Sequence, residues 1–323
     1  MTAVAEHAAA SPRIVSLLPS VTEMVVALGL GEQLVGRSHQ CDFPPWVTDL
    51  PVLSASRLEP GGNSAQIHQR VSAILAQGQA MYSVDPQRLW ELAPRYILTQ
   101  TQCAICAVTP GDLQAALADW PDPAQRPEVI AVEPEDLGEV LQAIRTVAAS
   151  LGVAVAGERL AQDLSARLDA LRAKTASLPR PRVLTLEWTA PLMAAGNWIP
   201  ELIEIAGGSS LIAEQGEHSP CIRLEQVVET DPDVIVITPC GFTLEQGAQA
   251  LAELSRRERW ANLRAVRAGE VYLIDGVHYF NRPGPRLVES AEIIGEILHP
   301  TVCDFGHRGK AWLDAGEARA RFA

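Results

Sequence analysis

From Arg13 onward, short runs of β-branched and apolar residues alternate with amphipathic stretches, the pattern of strand and helix units on a mostly parallel sheet. Arg13 to Leu18, Leu34 to Ser38, Tyr96 to Thr99 and Glu128 to Val132 read as the strands of a first half. Val183 to Trp188, Val234 to Thr238 and Val271 to Ile274 read as those of a second. Ser20 and Glu23 stand at capping-box spacing, so a helix capped by Ser20 is expected there. Other helices are expected near Ile67 to Gln77, behind Gly61, Gly62 and Asn63, from Pro86 to Leu92, and from about Pro285 to Leu298. Glu135 to Ala176 is helical in composition and broken near Gly152; its second part, from Val153, would span about 36 Å at about 1.5 Å per residue.

The pattern predicts an α/β fold of two lobes with mostly parallel sheets, joined by one long helix. The expected divisions are an N-terminal lobe over 13–134, a linking helical segment over 135–178, a C-terminal lobe over 179–298 and a peripheral tail over 299–323. A length of 323 residues agrees, because single domains usually hold about 100–200. Apolar residues at 47% and charged residues at 20% describe a globular chain and exclude a disordered or fibrous one. With 26 Lys and Arg against 39 Asp and Glu, the net charge of −13 repels phosphate backbones, so nucleic acid is not an expected partner. No apolar run is long enough to span a membrane. The opening MTAVAEHAAASPR lacks the basic start and apolar run of a secretory leader, which predicts a cytoplasmic protein. A chain cut from an exported precursor would be periplasmic instead.

Ligands of parallel α/β sheets lie beyond the carboxyl ends of the strands, so residues there are the candidates. Ser20, His39, Gln40, Gln100, Trp188, Trp198, His278, Tyr279 and Phe280 follow strands and are candidate ligand contacts. The aromatic members would wall a large flat ligand, the glutamines would read its amide groups, and His39 or His278 would reach a metal centre. Five of the six cysteines, Cys41, Cys103, Cys106, Cys221 and Cys240, also fall in loops and are candidate ligands for an iron–sulfur cluster or zinc. Cys103 and Cys106 form a Cys-x-x-Cys pair, which reads equally as a redox dithiol. Each lone cysteine also reads as a small apolar filler, and each lone histidine as a hydrogen-bonded loop residue. No phosphate-binding loop, Gly-x-Ser-x-Gly elbow or HExxH helix occurs, so no catalytic constellation stands out.

The segment RIVSLLPSVTEMVVALGLGEQLVGRSHQCDFPP resembles the opening of the helical-backbone (class III) substrate-binding proteins of ABC importers for cobalamin and iron complexes. In that family a PS-x-TE motif and a VG-x-S…D-[YF]-PP loop recur. The likeness continues through ELAPRYILTQ, MAAGNWIPELIEIAGG, LEQVVETDPDVIVITPCG and YFNRPGPRLVESAEII, covering nearly all of 13–298, and lies nearest the cobalamin-binding members. It implies two rigid lobes with a ligand between them, most plausibly a corrinoid, held by a carrier, sensor or importer receptor. The competing reading is a cytoplasmic metalloprotein or enzyme that uses the loop cysteines. The importer proteins dock to their permease through one acidic residue on each lobe. Glu225 keeps the second position, while Gln87 stands at the first, which counts against docking. Gln40 and Gln100 replace aromatic residues that pack the corrin, and His278 replaces an acidic residue. Arg57 to Tyr82 has no counterpart in the compact transporter form.

Overall fold

The computed structural model describes residues 12–100, 108, 110–118 and 120–322. The chain divides into two compact units, residues 1–57 with 80–132 and residues 58–79 with 133–323.

In the first unit the strands are Ile14–Ser16 (β1), Leu34–Arg37 (β2), Ser54–Ser56 (β3), Tyr82–Val84 (β4), Tyr96–Gln100 (β5) and Glu128–Val132 (β6). Its helices are Pro19–Ala27 (α1), Pro86–Leu92 (α3) and Pro110–Leu117 (α4), and Ser64–Ala76 (α2) belongs to the second unit. The parallel sheet runs β2-β1-β5-β6, with Ile14 facing both Leu34 and Tyr96. Its central strands are apolar on both faces, as a sheet covered on both sides requires; Ile14, Val15, Ile97 and Leu98 are fully buried. β3 and β4 form a separate antiparallel pair. The expected capping box at Ser20 is not formed. Pro19, whose fixed φ suits the first helical position, starts α1 two residues earlier than a Ser20 cap would, Leu18 is the cap residue, and Ser20 lies inside the helix with its hydroxyl buried and unpartnered.

The second unit contains α2, then Leu137–Ser150 (α5), Ala154–Thr175 (α6), Arg182–Thr189 (β7), Leu192–Ala194 (β8), Ile199–Ile205 (α7), Ser209–Ser210 (β9) and Cys221–Ile222 (β10). Leu224–Thr230 (α8), Val234–Ile237 (β11), Leu244–Leu254 (α9), Arg264–Ala268 (α10), Val271–Ile274 (β12), Leu287–Leu298 (α11), Trp312–Asp314 (β13) and Ala315–Phe322 (α12) complete it. Its sheet runs β10-β8-β7-β11-β12-β13, with β7, β11 and β12 parallel and β9 beside β7. Leu184, Leu186, Ile235, Ile237, Leu251, Leu254, Trp260 and Leu273 build the core beneath it. The chain breaks between α5 and α6 at Gly152, whose φ of 78° suits a residue without a Cβ. The C-terminal stretch, expected at the periphery, instead supplies an edge strand: β13 pairs antiparallel with β12, and Trp312 is 3% exposed. Among the described residues no helix is long and apolar enough to cross a membrane.

Candidate functional site

In the second unit, β7, β11 and β12 end side by side and their loops are laced together. β7 ends on Trp188 and Thr189; Trp188 is half-buried, donates from Nε1 to the Ala190 carbonyl at 3.1 Å, and packs edge-on against Phe242 at 5.2 Å. After β11, the backbone NH of Cys240 donates to the Glu187 carbonyl at 3.1 Å. After β12, Asp275 organises the turn, accepting at Oδ1 from the NH groups of Val277 and His278 and meeting His278 Nδ1 at Oδ2, 2.8 Å away. The β11 and β12 loops are joined by bonds from Gly276 N to the Phe242 carbonyl, 3.0 Å, and from Gly241 N to the Gly276 carbonyl, 3.1 Å. They approach so closely that a Cβ on Gly276 would stand 2.0 Å from the Pro239 carbonyl oxygen, and only glycine fits. The result is a fixed surface carrying one indole and one carboxylate-oriented imidazole.

Tyr279 follows on the same loop, half-buried, with the Arg286 guanidinium 5.4 Å over its ring. Burial raises its hydroxyl pKa, and the Glu289 carboxylate raises it further, so the phenol is neutral and suited to hydrogen bonding.

The first unit has its own strand-end group. His39, after β2, is half-buried with Nδ1 2.8 Å from Ser54 Oγ, and its ring lies 5.4 Å from that of Tyr82. Burial lowers its pKa and the nearby Arg37 lowers it further, which keeps the imidazole neutral. Gln40 is exposed and directs Nε2 to the Tyr82 hydroxyl at 3.5 Å. Gln100, at the end of β5, is 4% exposed. Tyr82 and Phe242, absent from the sequence-based set, are neighbours of its members. Phe242 follows a strand and was detectable on that ground, whereas Tyr82 lies within β4, a strand too short to show a pattern.

Several expected residues lie elsewhere. Trp198 and Phe280 do not wall a ligand: they are 7% and 0% exposed, and Trp198 Nε1 donates to the Phe280 carbonyl at 2.6 Å, so both belong to the interior of the second unit. Ser20 is fully buried. Cys41 is 1% exposed and enclosed by hydroxyls, with Thr22 Oγ1 at 3.0 Å and Ser38 Oγ at 3.3 Å, so it is a core residue and not a cluster ligand. Cys221 and Cys240 are exposed and outside any disulfide. Among the described residues no three His, Cys, Asp or Glu side chains gather into a group able to hold a metal ion, which removes the support for an iron–sulfur or zinc site there. Cys103 and Cys106 lie outside the described residues. Glu225 is exposed in the first turn of α8, and Gln87, exposed on α3, donates to Glu91 at 3.1 Å.

Residues 123–277 match the family model described as "Periplasmic binding protein". A Vitamin B12-binding protein of Vibrio cholerae is 27% identical over 287 residues, spanning 87% of this chain and 86% of its own. An uncharacterized ABC transporter substrate-binding lipoprotein of Bacillus subtilis, YvrC, is 23% identical across 89% of this chain and 80% of its own. Among solved structures, the periplasmic heme-binding protein RhuT from Roseiflexus superposes with a TM-score of 0.66 at 25% identity, over 90% of this chain and 99% of that one. The periplasmic Vitamin B12 binding protein BtuF of Vibrio cholerae gives 0.62 at 22% identity, over 89% and 96%. These likenesses overturn the cytoplasmic expectation. The similar proteins are described as periplasmic or as a transporter lipoprotein, which points to a place outside the cytoplasm.

Proposed function

We propose that this chain is a binding protein of the periplasmic type, the corrinoid-binding protein of an ABC importer, on the family match over residues 123–277 and the fold likeness along most of its length. The observation that carries the reading is the Asp275–His278 pair at the end of β12. A carboxylate on Nδ1 sets the ring plane, which is how proteins orient a histidine toward a metal centre. Cobalamin and heme, the ligands in the names of similar proteins, both present such a centre within a flat macrocycle. Trp188 adds the apolar surface that a macrocycle edge needs, and its packing on Phe242 fixes its orientation. The half-buried, neutral Tyr279 hydroxyl on the same loop suits the amide fringe of a corrin, and this favours the corrinoid over heme. Binding is the whole activity in this reading, and delivery to a membrane partner would rest on exposed Glu225 alone, because Gln87 stands at the other docking position.

Quenching of tryptophan fluorescence by aquocobalamin tests the proposal. Saturable quenching that weakens in Trp188→Phe supports it, and unquenched fluorescence at every concentration counts against it.

A further inference from the structure

Residues 58–79 leave the first unit between β3 and β4 and pack with the second. At the base, the segment is pinned: Ser54 to Ser56 pair with Tyr82 to Val84, and Arg57 N donates to the Met81 carbonyl at 2.9 Å. Just beyond the base stand Gly61 and Gly78, with φ of 81° and 66°, where a Cβ would meet nothing within 4 Å. Neither is wedged by neighbouring side chains, and their backbone bonds, Arg70 to the Gly61 carbonyl and Gly78 N to the Leu75 carbonyl at 2.9 Å, stay within the segment, so both suit hinge positions.

Between the glycines, α2 is self-contained. Asn63 and Gln66 form a full capping box, with Gln66 N to Asn63 Oδ1 and Asn63 N to Gln66 Oε1 both 3.0 Å, so these two groups of the helix start are satisfied within the segment itself. Ser64 is the single buried residue of α2. Its hydroxyl lies 2.7 Å from that of Thr189, the last residue of β7, and Asn63 Nδ2 donates to Glu253 Oε1 at 3.1 Å. Ile67, Val71 and Ile74 along the helix are only partly buried, so among the described residues α2 is held by two polar contacts, one fully buried side chain and a half-covered apolar face, and its opening free energy is low, because each hydrogen bond exchanges for one to water at a net cost of only about 0.5–1.5 kcal/mol.

We propose that residues 58–79 form a hinged flap that closes over the carboxyl end of β7 and swings open as one body when Ser64 parts from Thr189. Thr189 adjoins Trp188, so opening uncovers the strand end on which the candidate ligand surface is built. That the flap gates corrinoid entry rests on the proposed function; that it opens does not.

Two measurements on the full chain separate these statements. In amide exchange followed by mass spectrometry, residues 67–76 exchange at least about 100-fold faster than the almost wholly buried α11, the gap between local and global opening. Thr189→Val, which leaves the Ser64 hydroxyl without a partner, speeds exchange of α2 about tenfold, and Ser64→Ala with Thr189→Val returns it toward wild type because neither hydroxyl remains to be orphaned. Exchange in α2 as slow as in α11, or unmoved by Thr189→Val, overturns the flap. Second, Ser64→Cys with Thr189→Cys, oxidised to a disulfide, slows aquocobalamin uptake at least about tenfold, and dithiothreitol restores the rate. Unchanged uptake in the cross-linked protein overturns the gate. If no form binds a corrinoid, the proposed function fails, the gate falls with it, and exchange alone decides the flap.

Discussion

The Arg167 guanidinium on α6 forks the Glu292 carboxylate on α11, with Nη2 2.8 Å from both oxygens and Nε 3.2 Å from Oε1. Glu292 is 8% exposed, while the arginine side chain is 46% exposed. The cost of breaking the pair therefore falls on the carboxylate left behind. Arg167→Met and Glu292→Gln are each expected to lower stability by about 1–3 kcal/mol, and the double variant by less than their sum. Urea midpoints at a fixed pH measure this.

His307 meets the other face of Glu292, Nε2 to Oε2 at 3.4 Å, and ties the stretch before β13 to α11. The bond to Glu292 raises the His307 pKa above 6.5 against an opposing effect of burial, with Glu296 and Glu289 adding to the rise. Burial pushes Glu292 up, but His307 and Arg167 outweigh it and hold the carboxyl below 4.5. The histidine's contribution is complete below pH 6.5 and lost as pH rises through its higher folded value. The carboxylate's contribution is complete above pH 4.5 and lost as pH falls through its lower folded value. The two act together between those limits. His307→Gln should cost most stability near about pH 6 and little near about pH 9, as read from thermal midpoints across pH. An equal loss at both values contradicts the ion pair.

Gly276 joins stability to binding. A side-chain carbon there would sit against backbone, which cannot rotate aside, so Gly276→Ala must shift the loop that carries Asp275 and His278. The expected outcome is a stability loss of about 1–3 kcal/mol from overpacking together with weakened corrinoid binding. Chemical denaturation and fluorescence titration of the same preparation check both.

Two tryptophans that look alike in sequence should behave oppositely. Trp198→Phe strands the buried Phe280 carbonyl and is expected to cost about 1–3 kcal/mol while leaving corrinoid affinity nearly unchanged. Trp188→Ala is expected to spare most of the stability and weaken binding. Paired unfolding and binding curves decide between this division and a ligand role for both.

Strands buried on both faces were legible because runs such as Val234–Ile237 are short, β-branched and bounded by turn residues, which separates them from buried helix segments, and α6 was legible from its length. What pattern cannot carry is tertiary choice. Ser20 stands at capping-box spacing, yet Pro19 claims the helix start. Trp312 to Asp314 is too brief to announce a strand, and its pairing with β12 comes from a distant part of the chain. Cys41 follows a strand as His39 does, but the hydroxyls of Thr22 and Ser38 enclose its sulfur while the imidazole stays half-exposed. Position after a strand selects the neighbourhood of a site; exposure within it is decided by partners that the local sequence does not contain.

The most direct test of the account is equilibrium dialysis of purified protein against aquocobalamin, with hemin in parallel. The account predicts one corrinoid per chain with a Kd below about 1 μM, tighter than hemin, and an absorbance shift that His278→Ala removes. Retention of no corrinoid, or retention of hemin alone, contradicts it.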